Sequence, residues 1–176
     1  MGVVVSDCSV LIDLERGALL SATFRLQHTF VVPDILYARE LACSNGPQLI
    51  DMGLQVMGVA DQGVSLAATY RVRQPRLTLP DAFALALAKL GHQDLVSGNS
   101  FGSHTLLSGD KALRELAQEE GIECRGLFWI LDEIEAAGLL HHDGLLAALS
   151  AVSSHSRRRL PAHEITTRLI RYRGSE

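Results

Sequence analysis

Cysteine is scarce in this chain: three residues in 176 (Cys8, Cys43, Cys124), odd in number, widely spaced and without a CxxC pair. That argues against a disulfide framework and predicts reduced thiols at a cytoplasmic address. Long apolar runs are missing too. None reaches the roughly 18 residues that a membrane span needs. The opening MGVVVSDCSVLIDLERG has no basic n-region, and Asp7 interrupts its apolar stretch, so no secretory leader is expected. A basic excess is also absent. The formal net charge is −4, so bulk electrostatics do not mark a nucleic-acid binder.

What is present suits one globular domain, or one with a helical appendage: 47% of residues are hydrophobic and 20% charged. Basic charge is concentrated in two places. Six of the sixteen basic residues (Arg157, Arg158, Arg159, Arg168, Arg171, Arg173) fall in the last twenty positions, and Arg71, Arg73 and Arg76 form a mid-chain group. Both groups read either as contacts for a polyanion or as solvated helix faces and tails.

Short apolar runs alternate with helical patterns. Val3–Val5 reads as a buried strand ending at Asp7, and Ser9 reads as the cap of a helix beginning near Val10. Thr29–Val32 is a second strand, followed by helical ILYARELA and the turn cluster Ser44-Asn45-Gly46-Pro47. A short helix (QLIDMGL) leads to a strand in QVMGVA, and Asp61 reads as the cap of a helix to about Arg73. Thr78-Leu79-Pro80-Asp81 opens a helix whose run AFALALAKL is apolar on nearly every side, which predicts enclosure by other elements. GHQDLVSGNSFGS (91–103) reads as a loop, His104–Leu107 and Ile122–Arg125 as strands, and KALRELAQEEG as a helix stopped by Gly121. Three helical segments close the chain. The fold class predicted is α/β: a parallel sheet with helices on both faces, three layers, and a helical C-terminal extension.

In open parallel sheets, ligands bind beyond the carboxyl ends of the strands. Asp7 ends the first strand and Asp110 follows HTLL, so the two converge on one edge. Glu40 lies on the helix after the second strand, and Asp81 opens the apolar helix. A hard cation such as Mg²⁺ wants such oxygen ligands. Each acid also has a structural reading. Asp81 stands at capping-box spacing from Thr78, Asp110 suits an N-cap, and Glu40 suits a solvated face. Asp7 is hardest to dismiss, because a carboxylate ending an apolar strand needs a partner or a cation. Composition and spacing alone stop at an acidic cluster able to bind metal.

The four segments VVVSDCSVLIDLERG, VVPDILYAREL, LTLPDAFALALAKLG and LLSGDKALRELAQEEGIECRG resemble, in order and rough spacing, the acidic motifs of PIN-domain proteins. The likeness runs from residue 3 to about 137. The tail RRRLPAHEITTRLIRYR resembles the end of small bacterial PIN proteins related to VapC-type toxins. The resemblance implies a PIN-like nuclease domain over 1–137 and a helical extension over 138–176 packed on it. It implies Asp7, Glu40, Asp81 and Asp110 as catalytic, metal-binding residues, with Ser9 and Ser108 supporting them. Lys111, Arg71 and Arg73 would then touch substrate. The implied activity is hydrolysis of RNA phosphodiesters with Mg²⁺ or Mn²⁺, as in the toxin of a type II toxin–antitoxin pair. The implied partners are RNA, a small antitoxin protein and a second copy of the chain, for which Ile130, Ile134, Leu145 and Leu149 read as uncovered apolar faces. One departure is a polar stretch before HTLLSGD, about ten residues longer than the family's usual connection.

Other residues weigh less. Asp13 reads as support for a metal-bound water or as surface. His104, His141 and His142 lack ligand spacing, Cys8 reads as a small core residue, and Phe128 and Trp129 read as packing for the appended helices. A catalytically silent PIN domain serving as an RNA-binding or assembly module is the main alternative. A phosphoacceptor receiver needs an acidic pair before the end of strand one and a lysine after the last strand, and neither is found. A haloacid-type phosphatase needs Asp-x-Asp where this chain has Asp7-Cys8-Ser9.

Overall fold

The computed structural model describes residues 2–96, 104–155 and 160–174. Five strands form one parallel sheet in the order β3-β2-β1-β4-β5: β1 (Val3–Ser6), β2 (Thr29–Pro33), β3 (Gln55–Met57), β4 (Thr105–Leu107) and β5 (Cys124–Arg125). Val5 lies opposite Val31 on one side and Leu106 on the other, so the three central strands share register. Successive side chains alternate between faces, and that alternation divides the core in two. Val4, Phe30, Val32 and Leu107 join one cluster, whereas Val5, Val31 and Leu106 join the other.

The first cluster is covered by α1 (Cys8–Arg16), α2 (Leu20–Thr23), α8 (Leu127–Ala136), α9 (His142–Ser153) and α10 (Ala162–Arg173). The second is covered by α5 (Asp61–Arg73), α6 (Leu79–Val96) and α7 (Lys111–Glu119). Between β2 and β3 stand α3 (Asp34–Leu36), a π-turn (Tyr37–Leu41) and α4 (Gly46–Met52). The apolar run of α6 is enclosed as its composition requires. Ala82, Ala84, Leu85, Ala86 and Ala88 are fully buried, between the strands on one side and α5 and α7 on the other. No helix among the described residues is long and apolar enough to cross a membrane.

The structure corrects several local expectations. Asp7, not Ser9, caps α1, which therefore starts at Cys8 rather than near Val10. Asp61 is the first residue of α5, with Ala60 at the cap. Helix α6 continues through Val96, so residues 91–96 are helical instead of loop; the rest of the expected loop, 97–103, lies outside the described residues. Helix α2 has no periodic apolar signal long enough to announce it.

A larger correction concerns the last helices. Ile130, Ile134, Leu145 and Leu149 are fully buried within the single chain, packed with Val152, Ile165 and Tyr172 in the same cluster as Val4 and Leu11. They leave no apolar face for a second copy. The tail arginines also have work within the fold. Arg168 lies over the Phe128 ring at 4.4 Å and pairs with Asp132 at 2.7 Å and with Glu164. Arg171 reaches Asp132 at 3.1 Å and Glu135. Arg157, Arg158 and Arg159 lie outside the described residues.

Candidate active site

Adjacent strands β1 and β4 end side by side, and each delivers an aspartate. The backbone N–H of Asp7 still donates to Leu107 O at 3.0 Å, so the residue is held by the last rung of the ladder. Its carboxylate then caps α1, accepting from the Val10 N–H at 3.0 Å. The Ser9 hydroxyl lies 2.9 Å from each carboxylate oxygen, and the Ser108 hydroxyl donates to Oδ2. Asp7 is 1% exposed. Burial pushes its pKa from 3.8 up to about 6, against the pull of the Ser108, Val10 and Ser9 hydrogen bonds, and the charge of Asp81 pushes the same way as burial.

Asp110 repeats the arrangement one strand over. It caps α7 by accepting from the Leu113 N–H at 3.0 Å, and its own N–H donates to Ser108 Oγ at 3.0 Å. Ser108 thus joins the two strand ends, with its hydroxyl turned to Asp7 and its oxygen taking the Asp110 amide. Asp81 sits in the first turn of α6 in a capping box: the Thr78 hydroxyl donates to its Oδ2 at 2.7 Å, and its N–H donates back at 3.2 Å. Glu40 is exposed on the π-turn, a helix irregularity often found where side chains must be re-aimed at a site. The pKa of the Cys8 thiol is pushed up to about 12, by burial first, then by Glu40, with the charges of Asp7 and Asp81 acting the same way. The charges of Glu40, Asp7 and Asp81 are thus all felt at Cys8, and Asp110 is tied to Asp7 through Ser108. Cys8 packs against the first core cluster, as a small core residue does.

The donors are carboxylate oxygens, the chemistry a hard divalent cation takes. No basic side chain pairs with Asp7 among the described residues; its compensation is hydroxyl and amide dipoles. Among those residues no three His, Cys, Asp or Glu side chains stand in a ready metal-holding arrangement. The Asp7 oxygens accept from the serines, and Asp81 accepts from Thr78.

The remaining candidates divide. Ser9 and Ser108 both touch Asp7. Lys111 follows Asp110, its side chain 89% exposed and 3.7 Å from Glu115. Arg71 is exposed near the end of α5. The structure does not bring Arg73 to the acids: it pairs with Glu119 at 3.0 Å and with Glu120, at the end of α7 opposite Asp110 and about 13 Å along the helix. Asp13 lies 3.4 Å from Arg16, and His142 bonds Glu135 at 2.9 Å. One residue near the acids escaped the sequence reading. Arg114, four positions after Asp110 and so on the same helix face, donates from Nη1 to Ser108 O at 3.1 Å.

Compared with models of known families, residues 3–172 match one described as a PIN domain (DUF3368). No curated protein matches the chain.

Proposed function

The chain belongs to the PIN-domain family, and from that premise we propose that it is a divalent-metal-dependent endoribonuclease. PIN domains are generally nucleases. The observation that carries the reading for this chain is Asp7: a carboxylate buried at a strand end, with no basic side chain paired to it among the described residues, that feels the charge of Asp81 and is joined through Ser108 to Asp110.

In this reading Asp7, Glu40, Asp81 and Asp110 hold Mg²⁺ or Mn²⁺. Bound there, the metal supplies a charge that polarises the phosphate and makes water acidic enough to attack near neutral pH. The protein's own part is positional. Ser108 and Ser9 fix the Asp7 carboxylate, and Ser108 couples it to the turn that carries Asp110. No Ser, Cys or His nucleophile is needed. Because burial raises Asp7 to about 6, its charged form is favoured only above that pH, and activity should fall as pH drops through it.

The finer biology is a toxin of the VapC type, cytoplasmic, held in check by a small antitoxin protein. A homodimer in this reading cannot use the α8 and α9 faces. Its contact would be the edge strand β3, where Val56 and Met57 are exposed. The test is direct: purified protein should cleave single-stranded RNA with Mg²⁺ or Mn²⁺ and stop on addition of EDTA, with light scattering of the same sample reporting a dimer. RNA bound but uncut under every divalent ion would replace the enzyme with a silent RNA-binding module. A monomer at micromolar concentration would remove the dimer.

A further inference from the structure

Beside the acids, a groove of about 1170 Å³ opens at Ser108 and Gly109 and runs between α7, β5 and the start of α8. Resting on the nuclease reading, we propose that this groove carries the single-stranded RNA flanking the cut, with Arg114 holding a backbone phosphate and Trp129 forming the wall beside the bases.

The placement of Arg114 is the first support. Its guanidinium donates to the carbonyl of Ser108, the same residue whose hydroxyl bonds Asp7, so one residue ties the cation and the acid to a single turn. A guanidinium has five N–H donors, and this contact uses one. Gly126 lies beside it, where a Cβ would stand 3.3 Å from Arg114 Nη1.

Charge matching is the second support. The carboxylates lining the groove are answered by neighbours: Glu115 by Lys111, Glu123 by Arg125, Asp132 and Glu164 by Arg168, and Asp13 by Arg16. The lining holds five carboxylates and four basic side chains, and of those four Arg114 alone has no carboxylate within ion-pairing distance among the described residues. An Arg fork is matched to phosphate oxygens, and the acid edge handles phosphodiesters a few ångströms away.

Shape and wall complete the argument. The volume exceeds the roughly 300–1,000 Å³ of drug-sized pockets, so more than one nucleotide fits. Trp129, the sole tryptophan of the chain, lines it and is braced by His28 at a ring distance of 5.3 Å. A held aromatic of this kind takes bases of any identity. None of the large exposed hydrophobic side chains lines the groove, which disfavours an apolar protein partner there.

The test uses the full chain in EDTA, where RNA binds uncut, and titrates it with an end-labelled ten-nucleotide oligouridine at several salt concentrations. Label anisotropy reports binding, and Trp129 emission reports the groove. We expect both signals to move together. Arg114→Ala should weaken binding roughly tenfold and lower the salt slope by about one, while Arg114→Lys keeps the slope. Equal melting temperatures of the two variants exclude misfolding, and if the alanine variant melts early the lysine variant alone decides by keeping or losing affinity. Anisotropy that rises while Trp129 emission stays fixed would send the RNA along another route and overturn the proposal. An unchanged slope in Arg114→Ala would do the same. No binding at all would leave the groove to a polypeptide. The nuclease reading is judged separately, by Mg²⁺-dependent cleavage, and its failure would leave an RNA-filled groove on an inactive module.

Discussion

The two ends of α7 treat a carboxylate in opposite ways. At the C-terminal end Glu120 meets Arg73, has Lys89 at 3.5 Å and accepts the Tyr70 hydroxyl at 3.2 Å. The Arg73 hydrogen bond, ahead of every other influence, holds its pKa below the ordinary carboxylate value. Beyond the N-terminal end Asp7 meets two hydroxyls and one amide and feels the charge of Asp81, and burial raises it to about 6. Asp7 caps α1 on one face of the sheet, and Glu120 closes α7 on the other. The difference is whether the fold supplies the countercharge itself. Where it does, the acid is an ordinary brace between elements; where it does not, the site stores an unfavourable charge that a bound cation would relieve.

The largest effect that would sharpen this contrast lies at Ser108. Ser108→Ala removes a donor to Asp7 and the acceptor of the Asp110 amide in one step. Cleavage should fall by about 10–100-fold, the usual consequence of losing a group that orients a ligand. The acid limb of the rate–pH profile should also move to higher pH, because the Ser108 bond is the largest influence lowering the Asp7 pKa. A profile of unchanged height and position would mean that Ser108 does not position the acids.

At the other end the expected effect is smaller and thermal. Arg73→Ala should lower the melting temperature at pH 7 by roughly 2–4 °C and leave cleavage untouched. The sign follows from Glu120. A depressed acid contributes stability above its unfolded pKa and loses it as pH falls through the folded value, so the deficit of Arg73→Ala should shrink in acid. If cleavage drops and the melt does not, Arg73 grips substrate and the comparison between the two ends fails.

Much of the architecture was legible because each layer has its own period. Strands such as Val3–Val5 and Thr29–Val32 are short and apolar, and the helices between them fix a parallel order. Asp7 and Asp110 follow apolar strand runs, and that was enough to nominate the edge where those two stand. What escaped depends on contacts no local pattern carries. Asp7 rather than Ser9 caps α1 because the strand ends one residue earlier than the pattern suggests, leaving the serine free to donate to the carboxylate. The π-turn under Glu40 has no compositional mark. Ile130 and Leu145 seemed uncovered because the cover, α10 with Ile165 and Tyr172, comes after them in the chain and is mostly polar. Arg114 was hidden in an unremarkable amphipathic helix, although its spacing from Asp110 was there to be read.

The claim that Asp7 is an uncompensated acid awaiting a cation is tested most directly by melting wild type and Asp7→Asn between pH 4.5 and 8, in EDTA and in Mg²⁺, with cleavage measured on the same samples. A raised pKa contributes stability that is full below 3.8 and lost as pH climbs through about 6. The displacement corresponds to about 3 kcal/mol. In EDTA, Asp7→Asn should therefore melt increasingly above wild type as pH passes 6, and Mg²⁺ should narrow the gap by stabilising wild type alone. Cleavage by the variant should fall more than 100-fold, beyond the ~10–100-fold typical of a supporting group. A variant that melts below wild type at pH 8 and gains as much from Mg²⁺ would show Asp7 to be a structural acid, and the account would be wrong at its centre.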